Sequence, residues 1–258
     1  MISYIMNLYN KYSFIFQELV KRDFKKKYKR TYLGMVWSML GPLLQLVVMY
    51  LVFVQFFGNT TQHFMIYVFS GLIVFNYFKQ STDGGMLSLA GNADVIKNIQ
   101  APKYLFLVSA NVSMLINFLL TLIIFLAFVL AEGLLHVRVV LILYPVICLL
   151  IFNIGVGLIL SALFVFFRDI KYLYDIFTMM LMWLSAIFYP IELWSQTIQR
   201  LFLLNPIFTY IHYIRLVVIH GMIPSISLHL LAAFYALVAL TVGGWFYKRY
   251  NYRFIYHM

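Results

Sequence analysis

The sequence predicts an all-α, polytopic membrane protein with six transmembrane helices, an N-terminal amphipathic interface helix and short re-entrant helices between the fifth and sixth spans. Three observations carry this expectation. Of 258 residues, 64% are hydrophobic and 10% charged, with a mean hydropathy of +0.91, a composition foreign to soluble domains of this size. The apolar residues gather in long runs, several reaching the roughly 20 residues that a helix needs to cross a bilayer at about 1.5 Å per residue. Eight of the nineteen Lys and Arg residues fall within residues 1–33, which end in KRDFKKKYKRTYLG just before the first run. A basic collar followed by a span marks the cytoplasmic side.

The collar itself reads as a helix. Tyr12, Ile15, Phe16, Leu19, Val20 and Phe24 recur at steps of three and four, while Lys21, Arg22, Lys25 and Lys29 fall largely on the other side. Such a helix lies in the membrane interface, apolar face in the acyl boundary and lysines among anionic headgroups. It serves there either as an anchor or as a mechanical element. The start MISYIMNLYNKYSF lacks the features of a secretory signal, so targeting is expected from the spans themselves.

Six runs follow as candidate spans: residues 34–57, 64–78 with a polar continuation through Lys79 toward Ala90, 104–131, 139–167, 172–189 and 226–247. The second is short unless its helix continues in a protein-lined setting, and the fifth barely suffices. An even number of spans puts both termini on one side. Segments on that side hold 8, 3 (Lys79, Lys97, Lys103), 2 (Arg168, Lys171) and 3 (Lys248, Arg249, Arg253) of the basic residues. That makes 16 of 19 and leaves Arg138, Arg200 and Arg215 opposite, so the termini are expected in the cytoplasm. The organisation is then an interface helix at 1–33, a six-helix membrane domain at 34–247 and a tail at 248–258.

Two polar segments interrupt the spans on the terminal side. NADVIKNIQAPK, residues 92–103, is long enough for a separate helix, capped by Asn92 or Asp94 and stopped by Pro102. RDIK, residues 168–171, is a short turn. On the opposite side, residues 191–225 hold apolar runs too short to cross, punctuated by Asn205-Pro206, Gly221 and Pro224. Asn caps and Pro fits a first helical turn. Two short helices are expected there, either dipping into the outer leaflet or lying on the surface.

Enzyme chemistry finds little footing. The eight Asp and Glu residues form no paired-carboxylate pattern, the six histidines are scattered and Cys148 is the sole cysteine, so no catalytic or metal site is expected. Asp175 is expected to pair with Lys171, four residues earlier on the same helix. There is no GxxxxGK[ST] loop, so energy for any active transport must come from elsewhere. The net charge of +11 suits phospholipid headgroups rather than nucleic acid. Aromatic residues are plentiful: 25 Phe, 20 Tyr and 4 Trp. Most serve interfacial belts and packing. Trp37, Tyr50, Phe53 and Phe57 on the first span, with Trp183, Phe188 and Tyr189 on the fifth, lie deeper, where rings suit the C–H faces of sugars.

Four segments, YLGMVWSMLGPLL, NADVIKNIQAPKYLF, FRDIKYLYDIF and LNPIFTYIHYIR, resemble in order and content the membrane permeases of ABC-type polysaccharide exporters, which handle O-antigen, capsule or wall teichoic acid. The resemblance covers nearly the whole chain. It implies a homodimer of six-span subunits in the inner membrane of a bacterium or archaeon, docked on a separate cytoplasmic subunit that binds ATP and Mg. It further implies that residues 92–100 form a coupling helix with contacts at Asp94, Lys97 and Asn98, and that Arg168, Asp169 and Lys171 form a second contact. The first and fifth spans would line the channel for a lipid-linked polysaccharide, surrounded by membrane lipids. A drug or lipid permease of the same build, a membrane transferase acting on lipid-linked sugars and a passive structural subunit stand as alternatives.

Overall fold

The computed structural model describes residues 2–28, 36–52, 63–98, 101–191, 194–252 and 254. The described elements are all helical: α1 (Ile2–Tyr28), α2 (Val36–Tyr50), α3 (Phe64–Leu87), α4 (Ala93–Asn98), α5 (Tyr104–Ala131), α6 (Leu143–Phe166), α7 (Ile170–Trp183), α8 (Gln196–Phe202), α9 (Pro206–Val218) and α10 (Ile226–Tyr250). Short 3-10 turns at Ala90–Asn92 and Val137–Ile142 precede α4 and α6.

Three helical stretches among the described residues are long and apolar enough to cross a bilayer: α5, the continuous run Val137–Phe166, and α10. The pair α8 and α9 passes the same criterion jointly but is bent by 114° at its break. The other expected spans fall short of it for separate reasons. Polar residues from Lys79 onward dilute α3, although the helix does continue past them as its second half required, to Leu87. The fifth run yields only the 14 residues of α7, and α2 is described over 15.

Local signals account for the helix ends. Asn205 caps α9, its side-chain oxygen accepting from the amides of Ile207 and Phe208, with Pro206 in the first turn. Ser225 caps α10 by accepting from Leu228. Helix α5 closes through Gly133 at φ +71°, where the Leu134 amide donates to Val129 and that of Gly133 to Leu130. That is the left-handed C-terminal motif glycine permits.

Helix α3 occupies the centre, apolar on all sides over its first half because α5, α6 and α9 surround it. Ile66, Phe69, Leu72 and Val74 from α3 meet Phe125, Val129, Leu149, Tyr210 and Ile214 in the main core. The closest helix pair is α6 with α10. Gly155 lies directly on the main chain of Ala239 and Leu240, and Gly243 on the Gly155 carbonyl. Small residues bring backbones this near, which is how helices gain contact where lipid offers no hydrophobic drive. Helix α7, by contrast, buries only Tyr174 and Thr178 and leaves Leu173, Ile176, Met180 and Trp183 exposed.

Candidate functional site

The end of the bundle that holds α4, the start of α5 and the end of α10 has its own apolar cluster. Leu19 of α1, Leu89, Ile96 of α4, Phe106 and Leu107 of α5, Leu158 and Ala162 of α6, Tyr247 of α10 and Phe254 are its buried members. Helices α1, α4, α5, α6 and α10 thus meet in one knot of side chains at this end.

The collar helix docks on α5. The Ser113 hydroxyl donates to the Val20 carbonyl at 3.2 Å and the Ser109 hydroxyl to Asp23 at 3.3 Å, while Arg22 pairs with Asp23 at 2.7 Å. Leu19 is buried, Tyr12, Ile15, Phe16, Val20 and Phe24 are half-buried, and Lys21 and Lys25 are exposed. Lys29 lies outside the described residues. Part of the apolar side expected to face lipid is therefore taken up by protein. Lys103, just before α5, donates to the Asn251 carbonyl at 2.7 Å, and burial pushes its ammonium below the ordinary lysine range.

Helix α4 stands where the polar segment predicts a helix. Ile96 anchors it in the cluster, 8% exposed, while Asp94, Lys97 and Asn98 are presented outward. The Asn98 amide donates to the Asp94 carbonyl at 2.9 Å. The side-chain nitrogen of Asn92 donates backward to the Ser88 carbonyl at 2.6 Å in the 3-10 turn. Arg168, Asp169 and Lys171 are also exposed, on a turn closed by the Tyr172 amide donating to the Asp169 carbonyl.

The expected Asp175–Lys171 pair is replaced by a tertiary one. Asp175 lies 3.5 Å from Lys79 of α3, and beside it the Tyr174 hydroxyl meets Thr82 Oγ1 at 2.5 Å. The start of α7 lies beside α3 here, which brings the partly exposed Lys79 within reach of Asp175. The two exposed patches are thereby joined through α3, which leads by way of the 3-10 turn into α4 and holds α7 at its side.

The predicted channel rings divide. Trp37 is exposed and Tyr50 half-buried on α2, and Phe53 and Phe57 lie outside the described residues. Trp183 is 54% exposed, whereas Phe188 is 2% exposed and packs into the main core. Tyr189 is half-buried and its hydroxyl donates to the Trp183 carbonyl at 2.6 Å. Sequence reasoning missed the company Tyr189 keeps: Trp194 stacks on it at 5.7 Å, and Phe202 lies edge-on to both. Their spacing along the bent segment carries no signal before the chain folds back.

Arg215, one of the three basic residues expected on the side opposite the termini, is 2% exposed. It is buried on α9, donating to the carbonyls of Tyr67, Ala186 and Ile187. Ala186 adopts φ +47°, and Gly71 leaves room for the head group: a Cβ there would stand 3.1 Å from Arg215. The hint in the sequence was an arginine inside the apolar run IFTYIHYIRLVV. At the same end, His63 before α3 meets Glu132 after α5 at 2.7 Å. An apolar cleft of about 560 Å³ lies between α5 and the start of α6, lined by Leu122, Leu126, Val140 and Leu143 among others, and none of the predicted site residues borders it.

The geometry is thus an outward-facing polar platform at one end, seated on a common apolar knot, and a lightly held helix with exposed rings beside it. Asp94, Lys97 and Asn98 on α4 and Arg168, Asp169 and Lys171 on the turn into α7 are the platform's exposed polar side chains. The family described as ABC-2 type transporter matches residues 15–219. The chain is similar to the O-antigen export system permease protein RfbA of Myxococcus xanthus, 29% identical over 213 residues and covering 80% of each chain. It is also similar to two Klebsiella pneumoniae proteins of that name. One is 25% identical over 258 residues, 96% of this chain and 98% of the relative. The other is 25% identical over 238 residues, 92% of each.

Proposed function

Because the chain belongs to the ABC-2 type transporter family, we propose that it is the permease subunit of an ATP-driven exporter whose cargo is a polysaccharide carried on a lipid. The observation that carries this reading is the family match across residues 15–219, reinforced by full-length similarity to relatives named for O-antigen export. Hydrolysis falls to a separate cytoplasmic subunit that binds ATP and Mg.

In this reading α2, α3, α5, α6, α7 and α10 are the six spans, the basic end with both termini faces the cytoplasm, and the bent pair α8 and α9 re-enters from the outside. The count of 16 of 19 basic residues on the terminal side supports that orientation. Two copies face each other through α2 and α7, since the exposed apolar side of α7 needs either lipid or protein cover. The partner's closure on ATP presses on Asp94, Lys97 and Asn98, with Arg168, Asp169 and Lys171 as the lesser contact. The seam between the two copies opens, and sugar rings pass against exposed rings such as Trp37 and Trp183.

The test is a permease–ATPase complex reconstituted in vesicles, assayed for export of a lipid-linked glycan and of a hydrophobic drug. Glycan export that is lost when Asp94 and Lys97 both carry reversed charge, with membrane insertion intact, supports the assignment. Normal export in that variant removes the coupling role from residues 92–100, and transport of the drug alone moves the chain to the other permease class.

A further inference from the structure

Helix α7 is fastened to α3 at two places. Near the basic end stand the Lys79–Asp175 ion pair at 3.5 Å and the Thr82–Tyr174 hydroxyl bond at 2.5 Å. At the far end, the turn that follows α7 is tied through the Ala186 and Ile187 carbonyls to Arg215, which also holds the Tyr67 carbonyl of α3. Tyr67 and Thr82 are separated by fifteen residues of one helix, about 22 Å at its rise per residue. Between the fastenings Thr178 is buried and Leu181 and Met182 pack half-buried on the main core, while the rest of that stretch of α7 is exposed.

From this arrangement we infer that α3 is the rod that carries the movement of α4 into α7, and that Lys79, Thr82, Tyr174 and Asp175 are the positioning residues that make the two helices move as one body. The inference rests on the exporter reading. A helix pinned at both ends to a stiff neighbour follows that neighbour's displacement, because packed elements shift as units rather than deform. The path from α4 is short: the 3-10 turn Ala90–Asn92 stands between α4 and the end of α3, with the Asn92 amide holding Ser88. The turn at Arg168–Lys171 then adjusts to α7 instead of driving it, and the exposed rings at the end of α7 move with the rod.

Four variants of the reconstituted complex test this: Tyr174→Phe with Thr82→Val, Asp175→Lys, Lys79→Asp, and the exchange Lys79→Asp with Asp175→Lys. In the first three, glycan exported per ATP hydrolysed is expected to fall about tenfold while hydrolysis and complex yield hold, and the exchange recovers much of the loss, as interacting pairs do in a mutant cycle. An unchanged ratio in Asp175→Lys, an exchange without recovery, or a loss that tracks complex yield overturns the rod. As a second measurement, Lys79→Cys with Asp175→Cys in a Cys148→Ser background is joined by a short bis-maleimide. Export survives the link if the helices travel together, and its loss overturns the inference. A wild-type complex that hydrolyses ATP and moves no glycan instead overturns the exporter reading beneath it.

Discussion

The guanidinium carbon of Arg215 stands 3.4 Å from the centre of the Tyr67 ring. The same head group donates to the main-chain oxygen of Tyr67 at 3.0 Å and to that of Ala186 at 2.9 Å. A planar donor fork, stacked on a ring and surrounded by carbonyls, joins α3, α9 and the turn after α7 at a single point. A buried positive charge survives there because its hydration is replaced by fixed dipoles.

Arg215→Met strands these carbonyls and should destabilise the protein by about 3 kcal/mol, since each orphaned buried acceptor costs about 1–3 kcal/mol. Arg215→Lys keeps the charge but not the fork, and should fall between the two. Thermal unfolding in nanodiscs reads this directly; wild-type midpoints in both variants would show that the staple is dispensable.

Gly155 and Gly243 should resist any side chain. A Cβ on either meets the other helix's main chain, so Gly155→Ala or Gly243→Ala forces α6 and α10 apart and should cost about 1–3 kcal/mol or more through overpacking. Gly244 has nothing within 4 Å of its Cβ position, and Gly244→Ala should be neutral or stabilising by up to about 1 kcal/mol from helix propensity. Comparing folded yield and melting temperature of these three variants decides it, and equal behaviour at 243 and 244 would refute the close contact.

Trp183 and Phe188 sit five residues apart with rings 5.2 Å from one another, yet they should answer to different assays. Phe188→Ala empties a buried site and should cost about 3–5 kcal/mol. Trp183→Ala removes an exposed ring, leaves stability within about 0.5 kcal/mol, and slows glycan export if that ring borders the cargo. Unchanged flux with Trp183→Ala would return the ring to interfacial packing.

Ile96 is the peg of α4. Ile96→Ala should loosen this short helix locally, at a cost of about 2 kcal/mol, without lowering the melting temperature of the α5–α6–α10 bundle. Limited proteolysis of residues 92–103 should accelerate severalfold in the variant. Identical cleavage rates would mean that α4 is held by something other than the apolar cluster.

Much of the fold was readable beforehand where the cause is local. The bounds of α5 follow from an apolar run with a glycine at its end, α9 from Asn205 and Pro206, and the persistence of α3 past Lys79 from a second span too short without it. The outward display of Asp94 and Lys97 follows from the same short-range rules, which place charges opposite the single buried isoleucine. The partner of Asp175 was not readable, because Lys171 at helical spacing and Lys79 ninety-six residues away satisfy the same charge rule and only packing chooses between them.

By itself, then, the sequence determined that this is a helical membrane protein whose basic residues gather in the segments at its ends and between certain spans, with a short polar helix at residues 93–98. Those properties depend on hydropathy, charge count and capping, all of which act within a few turns of chain. Tertiary structure decided which rings are exposed and which are core, that Arg215 is a buried staple, and that α7 and the turn after it are tied at both ends to α3. Such outcomes depend on which helices become neighbours, and neighbours are chosen by close backbone approach at Gly155 and Gly243 and by the satisfaction of buried polar groups across the bundle.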